Sequence, residues 1–439
     1  MFLYYFRLGV HSLRRNPALT ALMVLTLAIG VAATMSTLTI LHVMSGDPIP
    51  HKSNRLFVPV FDNGPLEGYN PADTTQRDHD QMSYRDAANL LKDGFGARRT
   101  VLYAISAPIE PERKDLAVMS AEGLAPTRDF FAMVEAPFLY GQPWSEADDK
   151  AGADVVVLSK PLSEKLFGAV DPVGKRVRMM GFEFQVVGVL KEWVPVPKYY
   201  RLVGGDGAFG KQEEFMIPFS SAIRHETGHN GSMSCSSRRE PGWQGLLDSE
   251  CTWLQFFFET ASSSDRADLQ AYLDNYASEQ RMLGRLKRNA KNELFDVMEW
   301  LEIRKVVGND SRLSAWLAFG FLVLCLVNTI GLLLAKFSVR ASEVGIRRAL
   351  GASRKEIFQQ FLMETAVVGL AGGILGLLFS FGALALIGMQ SDQLSVVTRM
   401  DWQMLGLTFV MSLLAAIVAG LLPTWRACQV TPAIQLKSQ

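Results

Sequence analysis

His225-Glu226-Thr227-Gly228-His229 matches the H-E-x-x-H pattern. Two histidines four apart on one helix face can hold zinc, and the intervening carboxylate can act as base for a zinc-bound water. Gly228 and the following Asn230-Gly231 weaken a helix here. His51 is the distant candidate for a third ligand, so a membrane zinc protease stays as a reading, but no metal site is expected. Gly205 to Lys211 has the glycine and lysine spacing of a phosphate-binding loop. Gln212 stands where a serine or threonine must hold magnesium, and no long apolar strand leads in, so no nucleotide site is expected. Cys235 and Cys251 can form a disulfide in an oxidising compartment, provided the fold brings them within bonding reach. Cys325 and Cys428 are expected to be reduced thiols without function.

A different kind of chemistry is written into residues 336–360. Lys336, Arg340, Arg347, Arg348, Arg354 and Lys355 crowd this short stretch. From near Val339, the residues Val344, Ala349 and Leu350 alternate with Glu343, Arg347 and Arg348, as a short amphipathic helix does. Gly351 suits the left-handed position that ends a helix, and a second helix is expected to start near Ser353. A stiff helix of this kind can dock in a groove on a partner and transmit a push.

The elements that position this stretch are long and apolar. The chain has 439 residues, with 44 basic and 44 acidic side chains and zero formal net charge. That balance argues against nucleic acid as a partner. The apolar residues gather into four blocks, at 18–44, 313–335, 361–388 and 403–423. A helix needs roughly 20 apolar residues to cross a bilayer core, and each block has them. Glu364 is the one charge near a block, at the entry of the third. The first block follows Arg14 and Arg15 but exceeds the roughly 7–15 residues of a signal-peptide core, so it reads as a membrane span. The third holds Gly369, Gly372, Gly373 and Gly376, two overlapping G-x-x-x-G pairs that are expected to form a helix-packing face.

Flanking charge sets the orientation. Arg7, Arg14 and Arg15 precede the first block, the basic loop follows the second, and Arg426 and Lys437 follow the fourth. The segments 1–17, 336–360 and 424–439 are therefore expected in the cytoplasm, and the loop 389–402 and the domain 45–312 outside it. In that domain, residues 154–158, 175–179, 182–190, 215–218 and 256–259 read as strands, and 161–167 as a helix. Residues 265–300 carry Leu269, Tyr272, Leu273 and Tyr276 at helical spacing and are expected to form a stalk helix climbing back to the membrane. The expected fold is thus membrane α-helical, with four transmembrane helices and a large α+β domain inserted between the first and second.

Thr127-Arg128-Asp129-Phe130-Phe131 through Gly141 resembles a segment of the periplasmic core domain of MacB-type permeases. Val157-Leu158-Ser159, Leu166-Phe167-Gly168, Asp171-Pro172-Val173-Gly174-Lys175 and Val186-Val187-Gly188-Val189 continue the likeness, and Met82-Ser83-Tyr84 resembles an earlier piece. Glu343-Val344-Gly345-Ile346-Arg347-Arg348-Ala349-Leu350-Gly351-Ala352-Ser353 is similar to the cytoplasmic-loop signature of the FtsX-like permease family. Leu422-Pro423, Arg426-Ala427 and Pro432-Ala433 resemble that family's tail, although Trp425 replaces its usual arginine. Residues 199–253 form a Gly/Ser-rich insert without a counterpart, where substrate or partner specificity is expected to reside.

The resemblance implies a bacterial inner-membrane permease with both termini cytoplasmic and a periplasmic domain. It implies a separate ABC ATPase dimer that binds the ATP, and a second permease copy or paralogue. A membrane-fusion adaptor and an outer-membrane channel are further partners it admits. It makes the helix around Glu343, Gly345, Ile346, Arg347, Arg348, Gly351 and Ala352 the ATPase-coupling helix. No catalysis and no cofactor are expected on this chain. Export is the leading reading. A transducer controlling a cell-wall hydrolase or a sensor, and a lipoprotein-releasing permease, are the alternatives.

Overall fold

The computed structural model describes residues 16–72, 80–113, 115–203 and 207–390, with isolated positions between 398 and 425. It divides into two compact units. One is Gly46–Val306, and the other holds the chain before and after it. Helix α1 (Pro17–Ser45) opens on a proline, whose missing N–H costs nothing at a first helical position. Its threonine hydroxyls bond back along the helix, Thr26 to the Leu22 carbonyl and Thr37 to that of Ala33. Polar groups in an apolar span are thereby satisfied internally.

The second unit is built on an eleven-stranded mixed sheet. In chain order its strands and three of its helices begin with β1 (Leu56–Val60), β2 (Met82–Ser83), α2 (Tyr84–Asp93), β3 (Arg98–Glu110), β4 (Met119–Pro126) and β5 (Phe138–Gly141). β6 (Val155–Ser159), β7 (Arg176–Met179), β8 (Phe182–Leu190), β9 (Phe215–Met216) and β10 (Thr252–Glu259) follow, then α3 (Arg266–Met282), β11 (Glu293–Asp296) and α4 (Val297–Ile303). The strand order is β11-β1-β10-β3-β4-β9-β6-β8-β5, with β2 on β10 and β7 beside β3 and β8. Among the described residues only β4–β9 and β6–β8 pair in parallel.

Both faces of this sheet are covered. Phe57, Val101, Tyr103, Phe256 and Phe258 pack on one side, with Leu90 of α2 and Leu269 and Leu273 of α3. Their neighbours Leu56, Val58, Leu102 and Phe257 pack on the other, with Trp144, Tyr200 and Trp300. This is the two-residue period of a strand with apolar residues in both phases. Tyr276 of α3 donates to Asp86 at the start of α2, and Arg285 pairs with the same carboxylate.

The stalk reading of 265–300 is corrected. α3 stops at Met282, Gly284 takes a left-handed φ of 75°, and β11 re-enters the sheet beside β1. Leu294 and Phe295 explain the return, since each is buried in one of the two cores.

In the membrane unit, α5 (Asn309–Val339), α6 (Ala341–Ala349) and α7 (Arg354–Gly388) follow. Among the described residues α1, α5 and α7 are long and apolar enough to cross a membrane. The expected fourth span, 403–423, lies outside the described residues except at isolated positions, as do the loop 389–402 and the tail. Within the segment 336–360, α5 runs on to Val339 and α7 begins at Arg354, as the helix start expected near Ser353 requires. Ser353 and Glu356 form a reciprocal capping box that fixes this start.

Candidate functional site

The basic stretch folds into α6, held between the ends of α5 and α7. Val344 is buried against a cluster that contains Phe337, Ile357 and Phe361. Gly345 is buried beside it. Arg347 donates to Glu343 one turn back at 2.6 Å and to Gln360 of α7 at 3.0 Å. After Leu350, Gly351 adopts φ 102°. The Ala352 N–H then bonds to the Arg347 carbonyl and the Gly351 N–H to that of Arg348. These two bonds are the Schellman arrangement, which needs a residue without Cβ strain at its turn. Ala352 packs on the same cluster as Val344.

The apolar face differs from the one read in the sequence. Val344 and Gly345 point inward, whereas Ile346 is 60% and Leu350 83% exposed. With exposed Ala349 they sit at i, i+3 and i+4, one face of the helix. Half-buried Arg348 lies beside them in sequence.

Behind α6 lies a charge cluster that reading charges one at a time does not reveal. Glu364 of α7 is fully buried and pairs with buried Lys336. Its second oxygen accepts from Arg340 at 3.2 Å. Lys336 and Arg340 are spaced i and i+4 at the end of α5, which is the signal that identifies them as partners of one group.

The four α7 glycines of the two G-x-x-x-G pairs are placed unequally. All four are buried. A Cβ at Gly372 would stand 2.8 Å from the Leu27 Cβ, and one at Gly376 2.8 Å from that of Val31, both on α1. Ser36 and Ser380 share a hydrogen bond of 3.0 Å between the same helices.

Residues 20–276 match the MacB-like periplasmic core domain, and residues 315–432 the FtsX-like permease C-terminal domain. The chain belongs to the MacB/FtsX-type family of ABC transporter permeases. It is 25% identical over 298 residues to a macrolide export ATP-binding/permease protein of Bdellovibrio bacteriovorus, covering 67% of this chain and 40% of that one. It is 23% identical over 296 residues to the uncharacterized ABC transporter permease YknZ of Bacillus subtilis, covering 66% and 64%. A pyoverdine export ATP-binding/permease protein of Pseudomonas aeruginosa is 26% identical over 317 residues, covering 71% and 41%. This permease thus spans between about two fifths and two thirds of the length of these relatives. The crystal structure of the periplasmic region of MacB from Actinobacillus actinomycetemcomitans matches with a TM-score of 0.36 at 15% identity, over 60% of this chain and 96% of that one.

The permease's H-E-x-x-H stretch is not helical. The helix Phe219–Arg224 ends before it, and Glu226 has a left-handed φ of 50°. His225 bonds to Asp154 at 2.6 Å and packs on Phe182, while His229 bonds to the Gly231 carbonyl. His51 bonds to Glu135. Among the described residues no group of three or more His, Cys, Asp or Glu is arranged to hold a metal. Gly205 of the phosphate-loop spacing lies outside the described residues, as does Cys428, and Cys325 is a buried free thiol.

Cys235 and Cys251 form a disulfide in the segment 199–253. That segment is no bare insert, because it supplies β9 and the helix Gly242–Leu247, whose Leu246 and Leu247 are buried. Trp243 packs on Trp253 just past the bridge. The bridge spans a sequence separation of 16 residues, and closing a loop of about that length stabilises by roughly 3 kcal/mol. The Cys235→Ser, Cys251→Ser protein will therefore unfold at lower temperature than the parent. Reductant will lower the parent's midpoint toward it and leave the double variant unmoved.

Proposed function

We propose that this chain is the permease subunit of an ABC-type exporter in the bacterial inner membrane. Two permeases work with a separate pair of ATPases, and both termini of each permease are cytoplasmic. The chain itself catalyses nothing and holds no cofactor, and ATP is bound by the partner. ATP-driven closure of that partner moves α6, and the motion is passed to the periplasmic domain, which expels a substrate that need not cross the bilayer. The names of two relatives favour a small exported molecule of the macrolide or siderophore kind.

The carrying observation is α6 itself. Its inner side is fixed by Val344, by Arg347 and by the Gly351 turn, yet it exposes Ile346 and Leu350. Apolar side chains of that size on a short basic helix suit a protein groove. Exchanging either for aspartate is expected to weaken association with the cognate ATPase at least about tenfold, as central interface residues do. Replacing Gly345 or Arg347 is expected to uncouple ATP hydrolysis from transport. Membrane insertion stays normal in all four. The checks are co-purification, ATPase stimulation and transport in reconstituted complexes. Unchanged association in Ile346→Asp and Leu350→Asp rejects the docking role. Capture of a membrane-fusion adaptor by the periplasmic domain supports export. Capture of a cell-wall hydrolase replaces it with regulatory transduction, and of a lipoprotein with lipoprotein release.

A further inference from the structure

One face of α7 gathers contacts to both arms of the basic hairpin, beside Met23 and Leu27 of α1. Ile357, Gln360, Phe361 and Glu364 fall at i, i+3, i+4 and i+7, a single helical stripe. Ile357 and Phe361 meet Val344 of α6 and Phe337 of α5, with the two phenyl rings 4.3 Å apart. Gln360 accepts from Arg347 of α6 at 3.0 Å. One turn further on, Glu364 receives Lys336 and Arg340 from the end of α5.

The apolar part of this stripe has no strong preference for register. Apolar contacts are non-directional and so specify register less sharply than a buried ion pair does. The carboxylate does not tolerate a shift. Glu364 and Lys336 are fully buried, so sliding α5 on α7 leaves charges unpaired in an apolar site. A buried ionic group adds little net stability over an apolar pair, and its best-attested use is to fix register. Here the group that is fixed is the base of α6, because Arg340 directly precedes it.

We infer that Glu364 is a positioning residue: its two-cation clamp locks α5 to α7 in one register and makes α6 a rigid extension of that hairpin. The inference rests on the coupling role of α6. A load placed on Ile346 and Leu350 then moves α5 and α7 together instead of bending the 340–353 segment.

The test uses the full chain in lipid nanodiscs, with spin labels at Ile346→Cys and Leu378→Cys in a Cys325→Ser, Cys428→Ser background. Both labelled positions are exposed. The parent is expected to give one narrow distance distribution. Glu364→Gln is expected to lose that single peak and give a broad one. The exchange Lys336→Glu with Glu364→Lys, which keeps opposite charges in place, is expected to restore it. Arg340→Gln removes half of the clamp and serves if Glu364→Gln fails to insert; intermediate broadening is expected. In the ATPase complex, Glu364→Gln is expected to keep partner binding while ATP-driven transport is lost. A parent-like narrow peak in Glu364→Gln or Arg340→Gln overturns the clamp, as does an exchange variant that stays broad. Failure of the coupling reading is seen separately, as normal ATPase association in Ile346→Asp, and leaves the distance measurement unaffected.

Discussion

Leucine in place of Gly376 will prevent stable assembly of the membrane unit, whereas leucine in place of Gly382, six residues along the same helix, will be silent. A Cβ at 376 falls 2.8 Å from the Val31 Cβ and 2.9 Å from the Ala28 carbonyl oxygen. The first obstacle is a stiff β-branched residue and the second is backbone, so neither can turn aside. At Gly382 nothing stands within 4 Å. Overpacking one site costs typically about 1–3 kcal/mol. Leucine at 376 also forces α1 from α7 and strips the neighbouring Gly372 contact with Leu27 and the Ser36–Ser380 hydrogen bond. In lipid no hydrophobic force compensates, since close backbone approach is itself the attraction. The expected loss is therefore above about 3 kcal/mol, seen as aggregation on size exclusion and a collapsed melting midpoint. Alanine at 376 will lower the midpoint less. Equal midpoints for the 376 and 382 leucine variants would show that α1 and α7 do not meet there.

The long apolar helices were legible because a bilayer imposes a length that few soluble segments reach. The packing glycines were legible only as a set. Their spacing marks two pairs, and it takes the neighbouring helix to show Gly372 and Gly376 against α1. β3 was not legible at all, although it is the longest strand among the described residues. Val101 to Ile105 are buried without interruption because both sides of the sheet are covered, so the alternation that marks a strand disappears. Strand order was beyond reach for another reason. β3 pairs with β10 and β1 with β11 across far more than a hundred residues, and no local pattern records such partners.

Helix α6 shows a similar division. Its end was legible from Gly351, and the start of α7 from Ser353. Its apolar residues were not separable by type. Val344 and Ile346 are equally apolar and two positions apart, and only the α7 stripe decides which is buried. Lys336 and Arg340 read as topology charges, which does not conflict with their pairing to Glu364.

Neutralising Glu213 in the periplasmic-type domain will unfold more of the protein than removing the disulfide does. The carboxylate is buried, with Lys198 at 3.1 Å and Arg201 at 3.3 Å, both also buried. Tyr200 donates to its second oxygen at 2.9 Å. Burial alone raises the carboxyl pKa, but Lys198 and Arg201 outweigh it and hold the group below the usual glutamate range. A depressed carboxyl pKa stabilises the fold above the unfolded value, near about 4.3, and that contribution is lost as pH falls through the folded one. Acid will therefore loosen this cluster selectively. Glu213→Gln leaves buried Lys198 without its counter-ion and buried Arg201 with only the longer contact to Glu122 at 3.7 Å, a loss of about 3–5 kcal/mol. Trp193 stacks on Tyr200 with ring centroids 5.9 Å apart, so its fluorescence reports the local opening. Lys198→Met combined with Glu213→Leu removes one charge of each sign and is expected to recover part of the loss, because an apolar pair replaces an ionic one at little net cost. If the double variant is instead as unstable as the sum of its parts, the two groups do not act as a pair and the cluster's stability has another source.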